Sequence, residues 1–570
     1  MLRQDLKISV IGLKITMKIS KSKYLKYISL KEAFSFLFVI LLMFFFSILE
    51  VVSISTIPLF ANYYFKKDFT GFIDEKYLFI LEKIESIEFL SIFIICIFIF
   101  KNLFGFFVNF CQFSIVKKLL IKISTKLFSN ILNRNYLFFA NTNASLVVRN
   151  LTHEIDQLGN YINSLFIFIK EVLLIFFLLI FIILSGYFFA FSYVLFIGFI
   201  LFIFFKIYKK KIHRISVGYQ SLKGKQIKNI NDSRSLIQEI KIYNLFNFYN
   251  SNFNILQNNL EHLKLLKSLL VSIPRFIIEI LFIISIISLI YITSRFYSNE
   301  SIFSLIIFVS IISIRFIPLY GSLSSSIMAM KTNYPSVSLI SNELEKKDKL
   351  INYLKLKKNK KITDNSFLKI ENLNFTYNKK SRKVIKKLNF TINQHDFVGI
   401  VGPSGSGKTT LVNILCGLIY PDKGSIFNLG ENIYNNLNKW QSKIGYVSST
   451  SLILNESVIK NIVLDKKIDR KNIVKILRSL ELDILIDKLN SKVGDAGSKL
   501  SSGQRQRLLI ARVLYRDPEI LIFDEVTNYL DIINEEKVLK LIKKLNKLKP
   551  VILITHKKSN LKFCNKIIKF

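Results

Sequence analysis

The sequence has few residues of four types, among them the cysteines and histidines that form covalent or metal cross-links. In 570 residues there are 4 cysteines, 5 histidines, 8 prolines and 1 tryptophan. Cys96, Cys111, Cys416 and Cys564 have neither metal-ligand nor disulfide spacing, which argues against a disulfide scaffold or a cysteine zinc site. Most of them lie in apolar runs. We therefore predict that they are small core residues in a reducing compartment.

Acidic residues are also scarce, since 39 Asp and Glu stand against 80 Lys and Arg for a formal charge of +41. Such an excess suggests nucleic acid as a partner. No basic motif with a base-reading context is present, however, and we predict no nucleic-acid binding. Hydrophobic residues make up 51% of the chain and charged residues 21%, which is too apolar for an entirely soluble protein of this size. Membrane segments are therefore expected.

Six apolar runs are long enough to span a bilayer: residues 34–60, 89–110, 161–185, 187–205, 273–293 and 303–328. The first run has no small-residue cleavage pattern, so a cleavable signal is not expected. Loops 117–156 and 206–264 are basic, whereas loop 62–88 is net acidic. Because basic loops remain on the cytoplasmic side, the N-terminus, both long loops and the C-terminal domain are predicted to be cytoplasmic.

A glycine-rich segment fits the phosphate-binding pattern of Gly, four residues, Gly, Lys and Ser or Thr. A β-prone apolar stretch precedes it and a helical stretch follows, so backbone N–H groups and a helix dipole would face a polyphosphate. Lys408 would neutralise the β and γ phosphates, and the Thr409 hydroxyl would bind Mg²⁺. A chance glycine-rich turn is the alternative. The predicted nucleotide-binding residues are Gly402, Pro403, Ser404, Gly405, Ser406, Gly407, Lys408, Thr409 and Thr410.

A second apolar run, 520–523, ends in two carboxylates. Asp524 is placed to hold the Mg²⁺ shell, and Glu525 to orient and deprotonate the attacking water. Between this run and the phosphate segment, residues 500–504 read LSSGQ and precede a helical stretch. Here the chain resembles the nucleotide-binding domain of ATP-binding-cassette transporters, whose signature reads LSGGQ. Ser502 replaces the first glycine of that signature.

The resemblance implies roles for further residues. Ser501, Gly503 and Gln504 would cap the γ-phosphate bound by a partner subunit, which implies a dimer with a second half-transporter, identical or different. Tyr377 would stack on adenine and His556 would sense the γ-phosphate. Taken singly, a surface tyrosine or a satisfied histidine is ordinary, but their order around the phosphate segment makes coincidence improbable. The implied cofactors are ATP and Mg²⁺, and the catalytic residues are Lys408, Glu525 and His556.

Two stretches depart from the family pattern. Ser449 stands where the family has a glutamine that contacts Mg²⁺ and the membrane domain, and a serine hydroxyl could reach the metal only through water. Asp531 matches the loop that couples the two ATP sites, but Asn528 and Tyr529 replace its usual small residues. The resemblance therefore predicts ATP binding together with weakened coupling to transport.

The predicted fold class is a membrane protein, with a six-helix α-helical exporter-type transmembrane domain followed by an α/β P-loop nucleotide-binding domain. The predicted boundaries are 1–345 for the transmembrane domain, 346–363 for a Lys-rich linker and 364–570 for the ATP-binding-cassette domain. Trp440, just before an apolar strand, is predicted to be a core residue.

The two basic loops keep helical periodicity, so they are expected to extend the spanning helices, as in exporters of this family. Short helices near 143–151 and 237–250 would then rest on the nucleotide domain. Two independent soluble insertions are the alternative. Residues 493–497 resemble an exporter-specific loop that touches these helices, which favours the first interpretation.

Scattered residues of the membrane half resemble lipid-linked oligosaccharide flippases, a subfamily of the exporters: Glu50, Pro58, residues 136–149, Pro274, Arg275, Glu279, Arg315 and Pro318. Arg275 and Arg315 would face an anionic head group, with Glu50 and Glu279 holding them when the cavity is empty. Glu279 and Arg275 could instead simply pair along one helix face.

The leading hypothesis is an ATP-driven exporter or flippase of an amphipathic, lipid-linked oligosaccharide or polysaccharide precursor, in a bacterial inner membrane. Export of a peptide, drug or plain lipid is an alternative. A third hypothesis is a regulatory half-transporter that hardly hydrolyses ATP, suggested by Ser449 and by Asn528 with Tyr529.

Overall fold

The computed structural model describes residues 30–65, 87–184, 188–293, 299–346, 366–377, 383–403, 405–528 and 530–570. They form two compact units. The first comprises the described residues within Met1–Arg134 and Thr142–Lys347, and the second comprises those within Asn135–Asn141 and Asp348–Phe570. Ser404 and Tyr529, both named above, lie outside the described residues.

Helices account for nearly all of the described residues before Glu345. In chain order they are α1 Leu30–Phe65, α2 Ile87–Leu132, α3 Tyr136–Asn141, α4 Ala144–Leu151, α5 His153–Leu184, α6 Phe188–Ser235, α7 Ile237–Ile242, α8 Phe246–Thr293 and α9 Asn299–Glu345. Hydroxyl side chains inside the apolar helices bond to the preceding turn, as where Ser47 Oγ donates to the Met43 carbonyl at 2.8 Å. Pro274 lies inside α8, where it removes one backbone donor and favours a bend.

Three stretches of the described residues are long and apolar enough to cross a membrane. They are Leu30–Ile57, Glu88–Leu132 and Ala144–Leu184, with mean hydropathies of 2.7, 2.3 and 3.0. The other predicted spans fall in the long helices α6, α8 and α9. Six spans therefore remain a prediction, of which these three meet the requirements of length and composition.

The first unit packs its helices around a buried apolar cluster. Leu178 and Ile182 of α5, Ile212 of α6 and Phe316 of α9 are each at most 1% exposed. Other large apolar side chains face outward, as expected where lipid rather than water surrounds a helix. Cys96 of α2 is one of these exposed residues, so the prediction that the cysteines are core residues is wrong for it.

The second unit contains two sheets. The antiparallel sheet has the strand order β2-β1-β4-β5, with β1 Leu368–Phe375, β2 Ile385–Ile392, β4 Lys423–Asn428 and β5 Glu431–Asn432. The parallel sheet has the order β6-β7-β8-β3-β9, with β3 Phe397–Val401, β6 Ile444–Ser448, β7 Ile520–Asp524, β8 Val551–Ile554 and β9 Lys566–Lys569. Strands β7 and β8 are buried along their whole length, which explains their unbroken apolar sequences.

Six further α-helices lie in the described part of the second unit. They are α10 Lys408–Leu415, α11 Leu437–Ser442, α12 Val458–Val463, α13 Arg470–Ser479, α14 Ser502–Leu514 and α15 Ile532–Asn546. Trp440 of α11 is 3% exposed, and its indole N–H donates to the Leu415 carbonyl at 2.7 Å. Its prediction as a core residue is confirmed. The second unit has the α/β architecture that the phosphate-loop pattern predicts.

The structure corrects the position of one predicted short helix. Helix α4, Ala144–Leu151, belongs to the first unit and packs against α5 and α6. The stretch that belongs to the second unit is Asn135–Asn141, which contains α3. Leu137 of α3 packs against the apolar cluster beneath the parallel sheet. An apolar residue of the connecting segment, which hydropathy alone did not distinguish, therefore anchors α3 to the second unit.

Candidate functional site

The strand order brings three separate stretches to one edge of the parallel sheet. Strands β7, β8 and β3 are neighbours, and all three run in the same direction. Their carboxyl ends lead into Asp524 and Glu525, into Thr555 and His556, and into the phosphate loop 402–407. Ligands of parallel α/β sheets bind at this edge. The residues that the sequence predicted as catalytic therefore converge here.

The phosphate loop has the backbone that an anion cradle requires. Gly405 and Gly407 have φ values of 78° and 106°, which a side chain rarely tolerates, and Gly407 is the N-cap of α10. A Cβ at Gly402 would lie 2.8 Å from the Phe570 carbonyl oxygen and 2.9 Å from Ser406 Oγ. The loop is thus held tightly at its start and points free N–H groups from the helix terminus outward.

Lys408 lies at the first turn of α10 and is almost fully buried. Its ammonium group donates to the carbonyl oxygens of Gly402 and Pro403 at 3.0 and 2.8 Å. Burial lowers the pKa of Lys408, while the negative charges of Glu525 and Asp524 raise it in part. A phosphate at the loop would supply the charge that this cation needs.

Asp524 ends β7 and is 6% exposed. Burial and, second, the neighbouring Glu525 raise the pKa of Asp524 to about 6. Tyr446 donates to its Oδ2 at 3.4 Å, whereas Oδ1 is buried with no hydrogen-bond partner among the described residues. A buried carboxylate oxygen without a donor fits a cation, so the site is suited to Mg²⁺.

The other two predicted metal ligands, Thr409 and Ser449, lie on different elements from Asp524. Thr409 is exposed on the first turn of α10. Ser449 follows β6, and its backbone N–H donates to the Asp524 carbonyl at 3.0 Å. Within the described residues no group of three or more His, Cys, Asp and Glu side chains could hold a metal. An ion here would therefore take most of its ligands from nucleotide and water, as Mg²⁺ commonly does.

Glu525 is bonded at both of its carboxylate oxygens. His556 Nε2 lies 2.6 Å from Oε1, and the Asn528 amide donates to Oε2 at 2.7 Å. The residue adopts a φ of 53°, with its N–H donating to the Ile554 carbonyl at 3.1 Å. A non-glycine residue in this conformation costs of order 1–3 kcal/mol and is typical of functional sites. The strained turn aims the carboxylate at the carboxyl edge of β8.

Tyr377 and the signature residues make their contacts within the chain. The Tyr377 hydroxyl bonds to Thr410 Oγ1 at 2.9 Å, and its ring is half exposed. Ser501 and Gln504 form a reciprocal capping box at the start of α14, with distances of 3.2 and 3.0 Å. A Cβ at Gly503 would lie 3.2 Å from Asn534 Oδ1. Within one chain the signature side chains thus cap their own helix, and their predicted role toward a partner's nucleotide stays a prediction.

Sequence reasoning missed the contacts of Tyr446 and Asn528. Tyr446 precedes Asp524 by 78 positions, so no local pattern connects them. A signal was available at Asn528, which the sequence already marked as a departure. An amide three residues after a carboxylate, in a turn, is well placed to bond back to it.

The fold and site define a membrane protein with a P-loop nucleotide-binding domain. Family models match residues 30–319 as an ABC transporter transmembrane region and residues 385–528 as an ABC transporter domain. The chain belongs to the ABC transporter family.

Relatives agree with this assignment over about a third of the chain. An ATP-dependent lipid A-core flippase of Wigglesworthia glossinidia brevipalpis is 37% identical over 209 residues, 35% of this chain and 36% of that protein. The alpha-hemolysin translocation ATP-binding protein HlyB of Escherichia coli is 34% identical over 212 residues, 36% of this chain and 30% of that protein. The chain thus matches about a third of the length of these curated relatives.

A solved structure shares the whole fold. It is a bacterial Atm1-family ABC exporter with ATP bound, and the TM-score is 0.77. The match covers 94% of this chain and 93% of that chain, at 16% sequence identity. The exporter-type arrangement of a transmembrane domain followed by a nucleotide-binding domain, which the sequence predicted, is confirmed as a fold.

Proposed function

We propose that this chain is one half of an ATP-driven exporter that moves an amphipathic lipid with an anionic head group, such as a lipid-linked oligosaccharide or polysaccharide precursor. The phosphate loop, Asp524, Glu525 and His556 support the hydrolytic part of this proposal. The observation that carries the transport part is an ion cluster buried within the membrane helices.

That cluster joins three helices. Glu50 of α1 is fully buried and pairs with Arg315 of α9 and with Lys101 of α2, whose Nζ lies 3.4 Å from Oε1. Two cations against one carboxylate leave one positive charge in excess. The Arg315 side chain is 38% exposed, so it remains accessible. Ionised groups inside a membrane are costly and mark binding sites, and a planar guanidinium suits phosphate oxygens.

The hydrolytic step uses residues that already lie together. Asp524 Oδ1 and the Thr409 hydroxyl would hold Mg²⁺, which when bound would neutralise charge on the nucleotide phosphates. Lys408 would bind the same phosphates. Glu525 would accept the proton of the attacking water, and His556 would hold the Glu525 carboxylate through the 2.6 Å contact.

A second half-transporter is needed to complete each ATP site. Ser501 to Gln504 would then face the nucleotide of the partner. An exposed apolar surface supports this dimer: Ile242, Tyr243 and Phe246 on and after α7 are between 65% and 75% exposed. We propose that the partner's nucleotide-binding domain covers this surface. The N-terminus and both basic loops would lie in the cytoplasm of a bacterial inner membrane.

Removing Arg315 is expected to stop transport without unfolding the protein. In proteoliposomes with ATP and a diphosphate-linked glycolipid, Arg315→Gln should translocate head groups roughly tenfold more slowly or worse, the loss expected for one charge-assisted bond. ATP hydrolysis and expression should persist. Arg275→Gln should behave alike, although the Arg275 side chain lies outside the described residues. The comparison is with Lys264→Gln, which removes an exposed lysine paired with Glu261.

Two results would contradict this proposal. Normal translocation in both arginine variants would exclude an arginine-guided path. Loss of folded protein in Arg315→Gln would instead indicate a permanent ion pair, because a buried carboxylate left short of a partner is strongly destabilising.

Ser449→Gln is expected to increase the stimulation of ATP hydrolysis by substrate. A glutamine can span the metal and the membrane-domain contacts that a serine is too short to make together. Basal hydrolysis in detergent and stimulated hydrolysis with the same glycolipid should be compared. An unchanged ratio of the two rates would show that another residue already supplies the link.

A regulatory half-transporter is the second candidate. It is favoured by one observation: both oxygens of Glu525 are bonded within the chain, to His556 and Asn528. A steady-state ATPase measurement on the assembled dimer separates the two candidates, since a regulatory subunit would hydrolyse almost nothing even with lipid present.

A further inference from the structure

The segment at the family's glutamine position is engaged in local bonds. The Ser449 N–H donates to the Asp524 carbonyl at 3.0 Å, which fixes the backbone of this residue beside β7. The Ser448 backbone N–H donates to Ser451 Oγ at 3.0 Å, and the Ser448 hydroxyl lies 3.1 Å from Thr450 Oγ1. The hydroxyls of Ser448, Thr450 and Ser451 therefore bond among themselves.

Tyr446 occupies β6 three residues earlier and reaches Asp524 with its side chain. Ser448 pairs with Asp524 in the parallel register of β6 and β7, which sets the two strands side by side at this point. The Tyr446 hydroxyl donates to Asp524 Oδ2 at 3.4 Å. Since Oδ2 is bonded and Oδ1 has no partner, this contact decides which carboxylate oxygen is left for a cation.

The same tyrosine shares an apolar cluster with α3. Leu137 of α3 and Tyr446 both pack against the cluster that contains Leu415 and Trp440. Burial and the charge of Asp524 raise the pKa of Tyr446, and the hydroxyl of Tyr136, also on α3, adds to the shift. Tyr446 thus bonds to Asp524 and packs on the same cluster as α3, inside one compact unit.

We propose that Tyr446 is a positioning residue that links α3 to the Mg²⁺-binding carboxylate of Asp524, a partial link that does not replace the direct metal contact for which Ser449 is too short. The inference rests on the proposed use of Mg-ATP. The hydroxyl holds the carboxylate so that Oδ1 faces the ion, and a displacement of α3 shifts the Tyr446 ring and with it the ligand. Mutation of a residue that hydrogen-bonds to a metal ligand typically lowers metal affinity by about 10- to 100-fold.

Tyr446→Phe tests the proposal because it removes one oxygen and keeps the packing. Mn²⁺ serves as the probe, titrated by electron paramagnetic resonance into full-length protein with a non-hydrolysable ATP analogue, so that turnover plays no part. Mn²⁺ affinity should fall by roughly tenfold. Affinity for the metal-free analogue in chelator should be unchanged. Tyr434→Phe is the matched control, since Tyr434 is partly buried in the same unit and donates to the Ile414 carbonyl at 3.3 Å.

Leu137→Ala tests the link to α3. It should weaken Mn²⁺ binding in the natural background and have no further effect in Tyr446→Phe. An unchanged Mn²⁺ affinity in Tyr446→Phe, an equal loss in Tyr434→Phe, or a Leu137→Ala effect that is absent or the same in both backgrounds would each overturn the proposal. None of these readouts requires transport, so failure of the proposed lipid export would be seen separately.

Discussion

Glu525→Gln should bind ATP and release almost no phosphate. The substitution keeps the size of the side chain but removes the carboxylate that would take the proton of the attacking water, and positioned general bases contribute about 10²- to 10⁴-fold. The phosphate loop and Lys408 are untouched, so nucleotide should remain bound. A single-turnover assay with γ-labelled ATP, together with filter binding of the nucleotide, measures both effects on the same sample.

A surface carboxylate of the same unit provides the control. Glu519 is half exposed and pairs with Lys443 at 2.7 Å, away from the site, and Glu519→Gln should hydrolyse ATP normally. Undiminished phosphate release by Glu525→Gln would contradict the assignment of the general base. Loss of nucleotide binding would show that Glu525 supports the fold of the loop rather than the chemical step.

Lys408→Ala should weaken ATP binding itself. The ammonium group is almost fully buried and lies within the field of Asp524 and Glu525. Without the lysine, the repulsion between those two carboxylates and the phosphates would be offset less. A hydrogen bond between charged groups contributes about 1.5–3 kcal/mol, which corresponds to roughly 10- to 100-fold in the dissociation constant. Equilibrium binding of a fluorescent ATP analogue measures the change. Lys460→Ala, which removes an exposed lysine paired with Glu456, should bind normally.

Mixed dimers extend this test to the partner subunit. If each site joins Lys408 of one chain to Ser501 of the other, a dimer of one Lys408→Ala subunit and one Ser501→Ala subunit keeps at most one intact site. Purified mixed dimers should then occlude no more than one nucleotide. A monomeric preparation that hydrolyses ATP at full rate would contradict the dimeric site.

The phosphate loop could be read from the sequence because its chemistry is local. Its glycines are needed at fixed offsets for positive φ, and a strand before and a helix after are enough to aim the N–H groups. The carboxylates at the end of β7 were recognised for a similar reason, since an entirely buried strand leaves its first polar residues at the sheet edge. The order of these motifs along the sequence identified the family, and the family implied the fold.

Contacts between distant positions could not be read in this way. Lys101 joins Glu50 across 51 positions, and Tyr446 joins Asp524 across 78. In the membrane helices the difficulty is physical, because lipid and helix neighbours are both apolar and hydropathy does not tell one face from the other. The position of α3 was missed because its six residues are too few to show a helical period.

The two contacts that hold the Glu525 carboxylate have a consequence for the cell. With Oε1 against His556 and Oε2 against Asn528, each oxygen already has one partner within the chain. A movement of Asn528 would free Oε2 to orient the attacking water. A newly made subunit waiting for its partner would therefore consume little ATP. Futile cycling would be prevented by one amide, and no separate inhibitor protein would be required.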